Sequence, residues 1–494
     1  MSDIAENGPS SFVIFGATGD LAARKLVPAL HALQRAGWLH PKTVVVGFGR
    51  SEMSDDALRE RLGDALAEQL DGPLDDAWRN LASRLHYVRG NYDDGAAYAR
   101  LADRLREVGH GDHVYYTATP PQTYGDIVTG LADAGLADES EGYRRLVIEK
   151  PFGEDLDSAR GLNALVLERF RESQVYRIDH YLAKETAQNL AVLRFANTLF
   201  EPIWSNRAID HVQITMAEPM GMEGRGSFYD AAGVVRDVFQ NHMLQLLALV
   251  TMEPPARYDA DAVRDEKVKV LRALACADPE SAVLGQYAAG RSPSEGRSAP
   301  DGRVAPAYRD EPGVAPGSRT PTYAAARFEL RNWRWAGVPF YLRAGKRLEA
   351  KASEIVLTFK RPPHVPFDLP VPPRADRLIL RLVPDEGISL RFNAKQPGQG
   401  IALDRVGLDF AYQGRYQRPN PDAYETLIQD VIEGDATLFM RADEVEVQWK
   451  VIAPLLEATA TREPLPYAAG SMGPAEAAEL LERDGRRWYR PGKA

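Results

Sequence analysis

Over the first 180 or so residues, short apolar runs alternate with helical stripes. Residues 12–15 (FVIF), 43–49 (TVVVGFG), 85–88, 113–119 (HVYYTAT) and 145–149 (RLVIE) are the apolar runs. Each is too short for a helix and too uniformly apolar for a half-exposed strand, so each reads as a strand buried on both faces. Leu26, Leu30 and Leu33 follow the first run at helical spacing. Leu58, Leu62, Leu66 and Leu70, preceded by Ser54, follow the second, and Ala97, Leu101 and Leu105 follow the third. Another helix opens at Tyr124, beyond Pro120 and Pro121. Strands alternating with helices predict a Rossmann-like, doubly wound parallel sheet, which binds ligands beyond the carboxyl ends of its strands. Gly16, Arg50, Asn91, Thr119 and Lys150 all fall at those ends.

The texture changes after residue 178. Residues 187–200 read as a helix and 208–217 (AIDHVQITMA) as a half-buried strand ending at Glu218. Residues 228–252 predict one long apolar helix that hides Arg236, Asp237, Gln240, Asn241 and His242 among aliphatics. Buried polar groups are costly without partners, so this cluster is expected to line a cleft or to pair within a core. On an α-helix Asp237 and His242 stand about 140° apart, too far for a tight pair. Residues 287–322, rich in Gly, Pro, Ser and Arg, read as an excursion rather than a boundary. Strand-like runs follow at 323–330, 338–342, 354–359, 378–382, 388–392 and 407–412, then helices at 423–433 and 442–456. Successive strands without intervening helices predict a large, mostly antiparallel sheet in an α+β second domain. The expected division is a nucleotide-binding domain at 1–178 and a substrate-binding and oligomerisation domain at 179–494.

Length agrees with two domains, since 494 residues exceed one compact core. No run approaches the ~18 apolar residues of a membrane span. The start, MSDIAENGPS, lacks the cationic and apolar regions of a secretory signal. Cys276 is the single cysteine, which excludes an internal disulfide framework and a multi-cysteine zinc site and fits a cytoplasmic location. A net charge of -10 argues against nucleic-acid binding, which rests on a basic surface.

Three stretches carry candidate chemistry. The first is the strand-to-helix turn GATGDL, residues 16–21, where small residues let backbone N–H groups approach a pyrophosphate. Its pattern is GxxGxxA rather than GxGxxG, and Thr18 or Asp20 is placed to cap the helix that follows. The second is Arg50, which stands where an acidic residue would select NAD, and suits the 2′-phosphate of NADP. Glu52 is its acidic neighbour. The third is RIDHYLAKE, residues 177–185. On a helix, His180, Tyr181 and Lys184 lean to one face at i,i+3 and i,i+4 spacing and suit a phosphate dianion. Asp179 sits at or before that helix start, to cap it or to orient another group. A solvated helix start with ordinary charges is the competing reading.

Together these segments resemble the glucose-6-phosphate dehydrogenase family. The motifs carrying the resemblance include GATGDLAARKLVPAL, VVVGFGRS, YTATPPQTY, VIEKPFGEDL, RIDHYLAKE, RFANTLFEPIW, ITMAEPMGMEGRGSFYD, GVVRDVFQNHMLQLLALVTMEPP, VPFYLRAGKRL and PDAYETLIQDVI, in order from residue 12 to about residue 475. The resemblance implies that Gly16, Ala17, Thr18, Gly19, Asp20, Leu21 and Arg50 hold NADP, with Asn91, Tyr92 and Lys150 framing that site. It implies that His180, Tyr181 and Lys184 hold the sugar phosphate. Lys150, Glu218, Asp237, Lys346 and Lys351 would contact the sugar, and Pro151 would position the cofactor. His242 would be the general base, paired with Asp179. The implied assembly is a homodimer or homotetramer through an exposed face of the second sheet, with no metal.

The implied roles fit the chemistry. Oxidising a hemiacetal requires loss of the O1 proton as hydride leaves C1, which suits a neutral imidazole oriented by a carboxylate. His31, His40, His86, His110, His113, His211 and His364 lie outside dense polar motifs and read as surface or structural. Tyr181 and Lys184 do not have the Tyr-x-x-x-Lys spacing of short-chain dehydrogenases. Zinc dehydrogenases need ligands that a single-cysteine chain lacks. An enzyme of unphosphorylated sugars is disfavoured by the His180 and Lys184 cluster. A non-catalytic nucleotide sensor is disfavoured by the presence of both His242 and Asp179. Two departures from the family pattern stand out. Ala352 and Val383 replace polar or basic groups that certain animal members use for a second, structural NADP, so no second site is expected. Ser205 is inserted before Asn206.

Overall fold

The computed structural model describes residues 10–70, 72–108, 111–276, 278–291, 304–369, 371–413, 415–416 and 420–491. The N-terminal stretch to residue 9, His110 and residues 292–303 of the 287–322 excursion lie outside the described residues. The chain forms two compact units. One runs to Ala183 and also takes in Ala256–Arg264 and Pro421–Glu446; the other holds Lys184–Pro255, Asp265–Asn420 and the residues from Val447 on. The two units are therefore not separated by a single cut near residue 178.

The first unit is the doubly wound sheet. Its strands are β1 (Ser10–Phe15), β2 (Val44–Gly49), β3 (Leu85–Arg89), β4 (Asp112–Thr117), β5 (Arg144–Ile148) and β6 (Val175–Ile178). They lie in the order β3-β2-β1-β4-β5-β6, all parallel, and Phe439–Met440 adds an antiparallel edge on β6. Every residue of β1 and β2 is buried, as expected for strands covered on both faces. Phe12 and Ile14 share a core with Leu26, Leu30, Leu33, Leu58, Leu62 and Leu66. Each such aliphatic contributes about 1.5–3 kcal/mol by leaving water.

Local signals fix the connections. Ser54 Oγ accepts from Ala57 N at 3.2 Å ahead of the helix Asp55–Leu70. Asp75 caps Asp76–Ala82 and also meets the buried His31 at 2.8 Å, which gives that histidine a structural task. His86 likewise bonds Asp55, at 3.0 Å. The predicted caps Thr18 and Asp20 are corrected: Asp20 pairs with Arg24 at 2.7 Å, and no side-chain cap bond forms at that helix start among the described residues. The late segment is held by packing of Ala423–Glu433 on Val27–Ala36 and by Arg145 Nη1, which donates to Val431 O and Ile432 O at 2.6 Å.

The second unit is built on a ten-stranded sheet. β7 (Ile209–Ala217) lies at its centre, parallel to Pro339–Gly345 and antiparallel to Ala352–Phe359. Outward on one side follow Arg377–Val383, Gly387–Lys395 and Leu403–Ala411, each antiparallel to its neighbour. On the other side follow Tyr323–Leu330, Val283–Ala288 and Leu465–Ala468, and the short Leu274–Cys276 also pairs with Tyr323–Leu330. Ser205, which had no sequence reading, shapes the turn into β7: its Oγ accepts from Arg207 N at 3.3 Å, and its carbonyl accepts from Ala208 and Ile209 N.

Two predicted helices differ. The helix expected over 187–200 runs Glu185–Phe195. The single helix expected over 228–252 is three pieces: Gly226–Val234, a π-helical segment Val235–Met243, and Leu244–Thr251. The break falls at Gly233, whose φ of 64° and ψ of 171° lie outside any helix and are open essentially to glycine alone.

Candidate active site

The carboxyl edge of the parallel sheet gathers the residues predicted to frame a nucleotide. Gly16 and Arg50 lie one position past β1 and β2, and Asn91, Thr119 and Lys150 two positions past β3, β4 and β5. The strand order reverses between β1 and β4, the crevice where such sheets bind dinucleotides. Gly16 has φ 83°, and a Cβ there would stand 2.4 Å from Ala118 O. Its N–H donates to Phe48 O at 2.9 Å, and Gly19 N donates to Gly16 O at 2.9 Å, closing the turn. Arg61 Nη2 holds Thr18 O at 2.7 Å. Ala17 is buried, Leu21 half-buried and Asp20 exposed. The turn is thus a bare backbone cradle, as a pyrophosphate requires.

Arg50 is exposed; burial raises the Tyr92 hydroxyl above its ordinary value, and the Arg50 charge offsets part of that rise. The Tyr92 ring stacks on Phe48 at 6.1 Å. Asn91 is exposed, and its carbonyl accepts from Asp94 N. Glu52, the acidic neighbour of Arg50, pairs with Arg89 at 3.3 Å. At the end of β5, Tyr116 donates to Glu149 Oε1 at 2.6 Å and Tyr124 to Glu149 O at 3.1 Å. Burial raises the Glu149 carboxyl, while Tyr116, Tyr424 and Lys150 draw it back down. This network fixes the backbone from which half-buried Lys150 and Pro151 project.

RIDHYLAKE is not a helix. Arg177 and Ile178 end β6, residues 180–183 form a turn, and the helix begins only at Glu185. The i,i+3 and i,i+4 argument for His180, Tyr181 and Lys184 is therefore corrected. Asp179 is fully buried, and its Oδ1 accepts from Tyr181 N at 3.0 Å, with Leu182 N on its carbonyl. The aspartate organises that turn by bonding the backbone two residues on, instead of capping a helix. That turn leaves His180 and Tyr181 half-buried, with ring centroids 5.0 Å apart. Tyr424 lies near-parallel to His180 at 6.5 Å. Lys184 opens the second unit with an extended backbone at the N-cap of Glu185–Phe195.

In the second unit the end of β7 supplies Glu218. Its N–H donates to Gly345 O at 3.0 Å, and its carbonyl accepts from Leu348 N at 2.9 Å. The strand end and the loop that bears Lys346 are thus laced together, and Lys346 Nζ pairs with Glu218 Oε2. Asp237 and His242 lie on the π-helical segment. Winding at ~4.4 residues per turn places residues five apart within roughly 50° of each other, not 140°. The two side chains therefore share a face. His242 is 3% exposed, and its backbone N–H donates to Asn241 Oδ1 at 2.7 Å. Asn241 Nδ2 in turn bonds Arg236 O at 3.2 Å. Lys351 is exposed at the entry to Ala352–Phe359.

Sequence reasoning missed Glu149, Tyr116, Tyr424 and Tyr229, which support the assigned residues. Their signal was faint. Tyr116 sits inside an apolar strand, Glu149 just past the end of one and Tyr424 in a distant helix, where a tyrosine reads as core.

Both halves of the chain match known proteins. Residues 13–189 match the family model described as glucose-6-phosphate dehydrogenase, NAD binding domain, and residues 191–489 the model of its C-terminal domain. The chain is 45% identical over 489 residues to glucose-6-phosphate 1-dehydrogenase of Aggregatibacter actinomycetemcomitans, covering 97% of each chain. It is 45% identical over 500 residues to the enzyme of that name from Mycolicibacterium smegmatis, again covering 97% of each. A solved structure of glucose-6-phosphate dehydrogenase in complex with glucose-6-phosphate superposes with a TM-score of 0.88 at 36% identity, covering 98% of this chain and 99% of that one. The Mycobacterium avium structure gives 0.85 at 37% identity, covering 99% of this chain and 100% of that one. With matched models on both halves and end-to-end relatives, the chain belongs to the glucose-6-phosphate dehydrogenase family.

Proposed function

We propose that this protein is an NADP-dependent glucose-6-phosphate 1-dehydrogenase, oxidising D-glucose 6-phosphate at C1 to 6-phospho-D-glucono-1,5-lactone. This is the entry step of the oxidative pentose phosphate pathway. The observation that carries the reading is the end-to-end match, at 45% identity, to enzymes of that name. The residues on the page suit the cofactor. A tight glycine turn, in which Gly16 has no room for a Cβ, leads into a helix start, and Arg50 supplies a cation for a 2′-phosphate. Gly16 to Leu21 and Arg50 would hold NADP, with Asn91, Tyr92 and Lys150 framing it. When bound, NADP supplies the acceptor for the C1 hydride.

The protein's own residues do the rest. His180, Tyr181 and Lys184 bind the phosphate dianion through charge-assisted hydrogen bonds. Lys150, Glu218, Asp237, Lys346 and Lys351 orient the sugar hydroxyls, and Pro151 sets the cofactor side. His242 takes the O1 proton as the C1–H bond breaks, so the oxygen's electron pair forms the lactone carbonyl. Asp179 orients the imidazole and stabilises its protonated form. On this reading the cofactor contacts fall within residues 1–178 and most substrate contacts within 179–494, with Lys150 serving both.

The test is reduction of NADP or NAD by the purified protein with glucose 6-phosphate, and with glucose as control. No reduction with either cofactor sinks the reading; equal turnover of glucose would replace the substrate. A cytoplasmic location accords with the single cysteine, whose thiol burial pushes up to about 11. We also infer a homodimer or homotetramer. Ile388, Leu390 and Phe392 pair with Phe410, Leu408 and Val406 on one face of the two outermost strands, and Leu408 is 62% exposed. Helix Glu185–Phe195 packs against Arg377–Val383, one strand further in. Light scattering on Leu408→Arg should report a smaller species; an unchanged mass would reject this face.

A further inference from the structure

Tyr229 stands in the middle of the proposed sugar contacts, and the sequence gives it no role. It is 4% exposed, with its ring edge-on to Tyr308. Its hydroxyl is fully buried and has no hydrogen-bond partner among the described residues. Lys346 Nζ lies 5.6 Å from the centre of its ring while also pairing with Glu218. The carboxylates of Asp237 and Glu218 both lie near enough to oppose loss of the phenolic proton, which burial opposes most. No hydrogen bond explains why an aromatic side chain is placed here, but the ammonium above its face does.

A lysine carries a compact charge on a long, freely rotating stem. The loop beneath Lys346 is rigid: Lys346 N donates to Thr322 O at 3.0 Å, and Tyr467 donates to Lys346 O at 2.7 Å. That backbone fixes the root of the stem and leaves its tip to be placed by side chains. Glu218 attracts the tip, but a single ion pair to a 40%-exposed carboxylate defines a distance and not a direction. The electron-rich face of Tyr229 supplies the second restraint, because cations settle over ring faces.

From this geometry we infer that Tyr229 is a positioning residue, whose ring holds the Lys346 ammonium beside Glu218 in the orientation that receives a sugar hydroxyl. The inference rests on the proposed role of Lys346 and Glu218 as sugar contacts.

Tyr229→Leu removes the ring, and KM for glucose 6-phosphate should rise roughly 2- to 30-fold, the range of a cation–π contact. KM for NADP should stay within about twofold, a split that a general packing defect would not produce. Tyr229→Met is a second ring-free variant, should the leucine form not fold. Tyr229→Phe, which keeps the ring and drops the hydroxyl, should restore the KM. In a Lys346→Ala background Tyr229→Leu should add no further loss, the signature of two residues acting as one. Tyr229→Phe as impaired as Tyr229→Leu would overturn the inference and assign the work to the hydroxyl. Full additivity with Lys346→Ala, or an equal rise in KM for NADP, would overturn it as well. A wild-type protein that reduces no NADP with glucose 6-phosphate removes the parent reading instead, a result visible before any variant is made.

Discussion

Replacing Gly16 by alanine should unfold the first unit's edge whether or not nucleotide is present, whereas Gly19→Ala should harm only nucleotide binding. At Gly16 two penalties combine. The φ of 83° costs a residue with a Cβ about 1–2 kcal/mol. The new Cβ would also stand 2.4 Å from Ala118 O, with Ala118 C and Thr119 Cγ2 both at 3.0 Å. Ala118 cannot yield freely, because its own N–H is tied to Phe15 O at 2.9 Å. Forcing atoms into such a site adds about 1–3 kcal/mol. The sum, about 2–5 kcal/mol, lowers the Tm of the ligand-free protein by roughly 4–20 °C at about 2–4 °C per kcal/mol. At Gly19 φ is ordinary, and the nearest atom to a new Cβ is Gly16 O at 3.1 Å. The fold should tolerate that methyl with a Tm change under about 2 °C, while the crowded turn weakens NADP by roughly 5- to 150-fold, the equivalent of about 1–3 kcal/mol. Thermal unfolding without ligand and a fluorescence titration with NADPH separate the two effects. A Gly16→Ala protein that keeps the wild-type Tm would refute the steric argument. A Gly19→Ala protein that binds NADPH normally would refute the cradle.

The other expectations concern chemistry and charge. His242→Asn should cut turnover by roughly 10²–10⁴-fold with little change in glucose 6-phosphate affinity, and Lys184→Ala should chiefly raise KM for glucose 6-phosphate; exchanged phenotypes in steady-state kinetics would mean the roles are reversed. Arg50→Ala should weaken NADP far more than NAD, and equal losses in kcat/KM for the two cofactors would remove its 2′-phosphate role. Burial pushes the Glu354 carboxyl up from 4.5 to about 7, against the pull of Arg343 and Arg381. The folded state therefore binds this proton more tightly than the unfolded chain, so stability falls as pH rises between those values, by about 3 kcal/mol in all. Glu354→Gln should flatten that part of the urea-midpoint profile, between pH 4.5 and about 7, and a slope equal to wild type would show that the group does not carry it.

The alternation of apolar runs revealed the parallel sheet because a strand buried on both faces admits almost nothing but apolar residues. Gly16, Arg50 and Lys150 were legible for a related reason. A parallel sheet puts all its carboxyl ends on one edge, so separate motifs converge without any knowledge of side chains. RIDHYLAKE misled because charges at three- and four-residue spacing suit a helix, while one buried carboxylate accepting from Tyr181 N was enough to hold a turn. The Asp237 to His242 segment misled in the opposite way. Its composition is helical, but its winding depends on the break at Gly233, where Val234 N donates to Pro321 O at 3.0 Å. No periodicity within residues 235–243 contains the position of Pro321. Glu149 and Tyr229 were illegible because their partners, Tyr116, Tyr424 and Lys346, are supplied by distant parts of the chain.

The strand at Phe439–Met440 sets a timetable for biosynthesis. It pairs with Ile178 and Arg177 of β6, so the outer edge of the nucleotide-binding sheet is bare until some 260 further residues have been polymerised. At roughly 5–20 residues per second that interval lasts roughly 15–50 s. During it a nascent parallel sheet presents unpaired backbone groups to every neighbouring chain, the geometry that templates edge-to-edge aggregation. A gene fragment ending at residue 183 makes that interval permanent. It would also lack the carbonyls of Val431 and Ile432 that Arg145 requires. The cofactor-binding half is therefore not a portable module, and a circular permutant opening between residues 420 and 447 should lose it first.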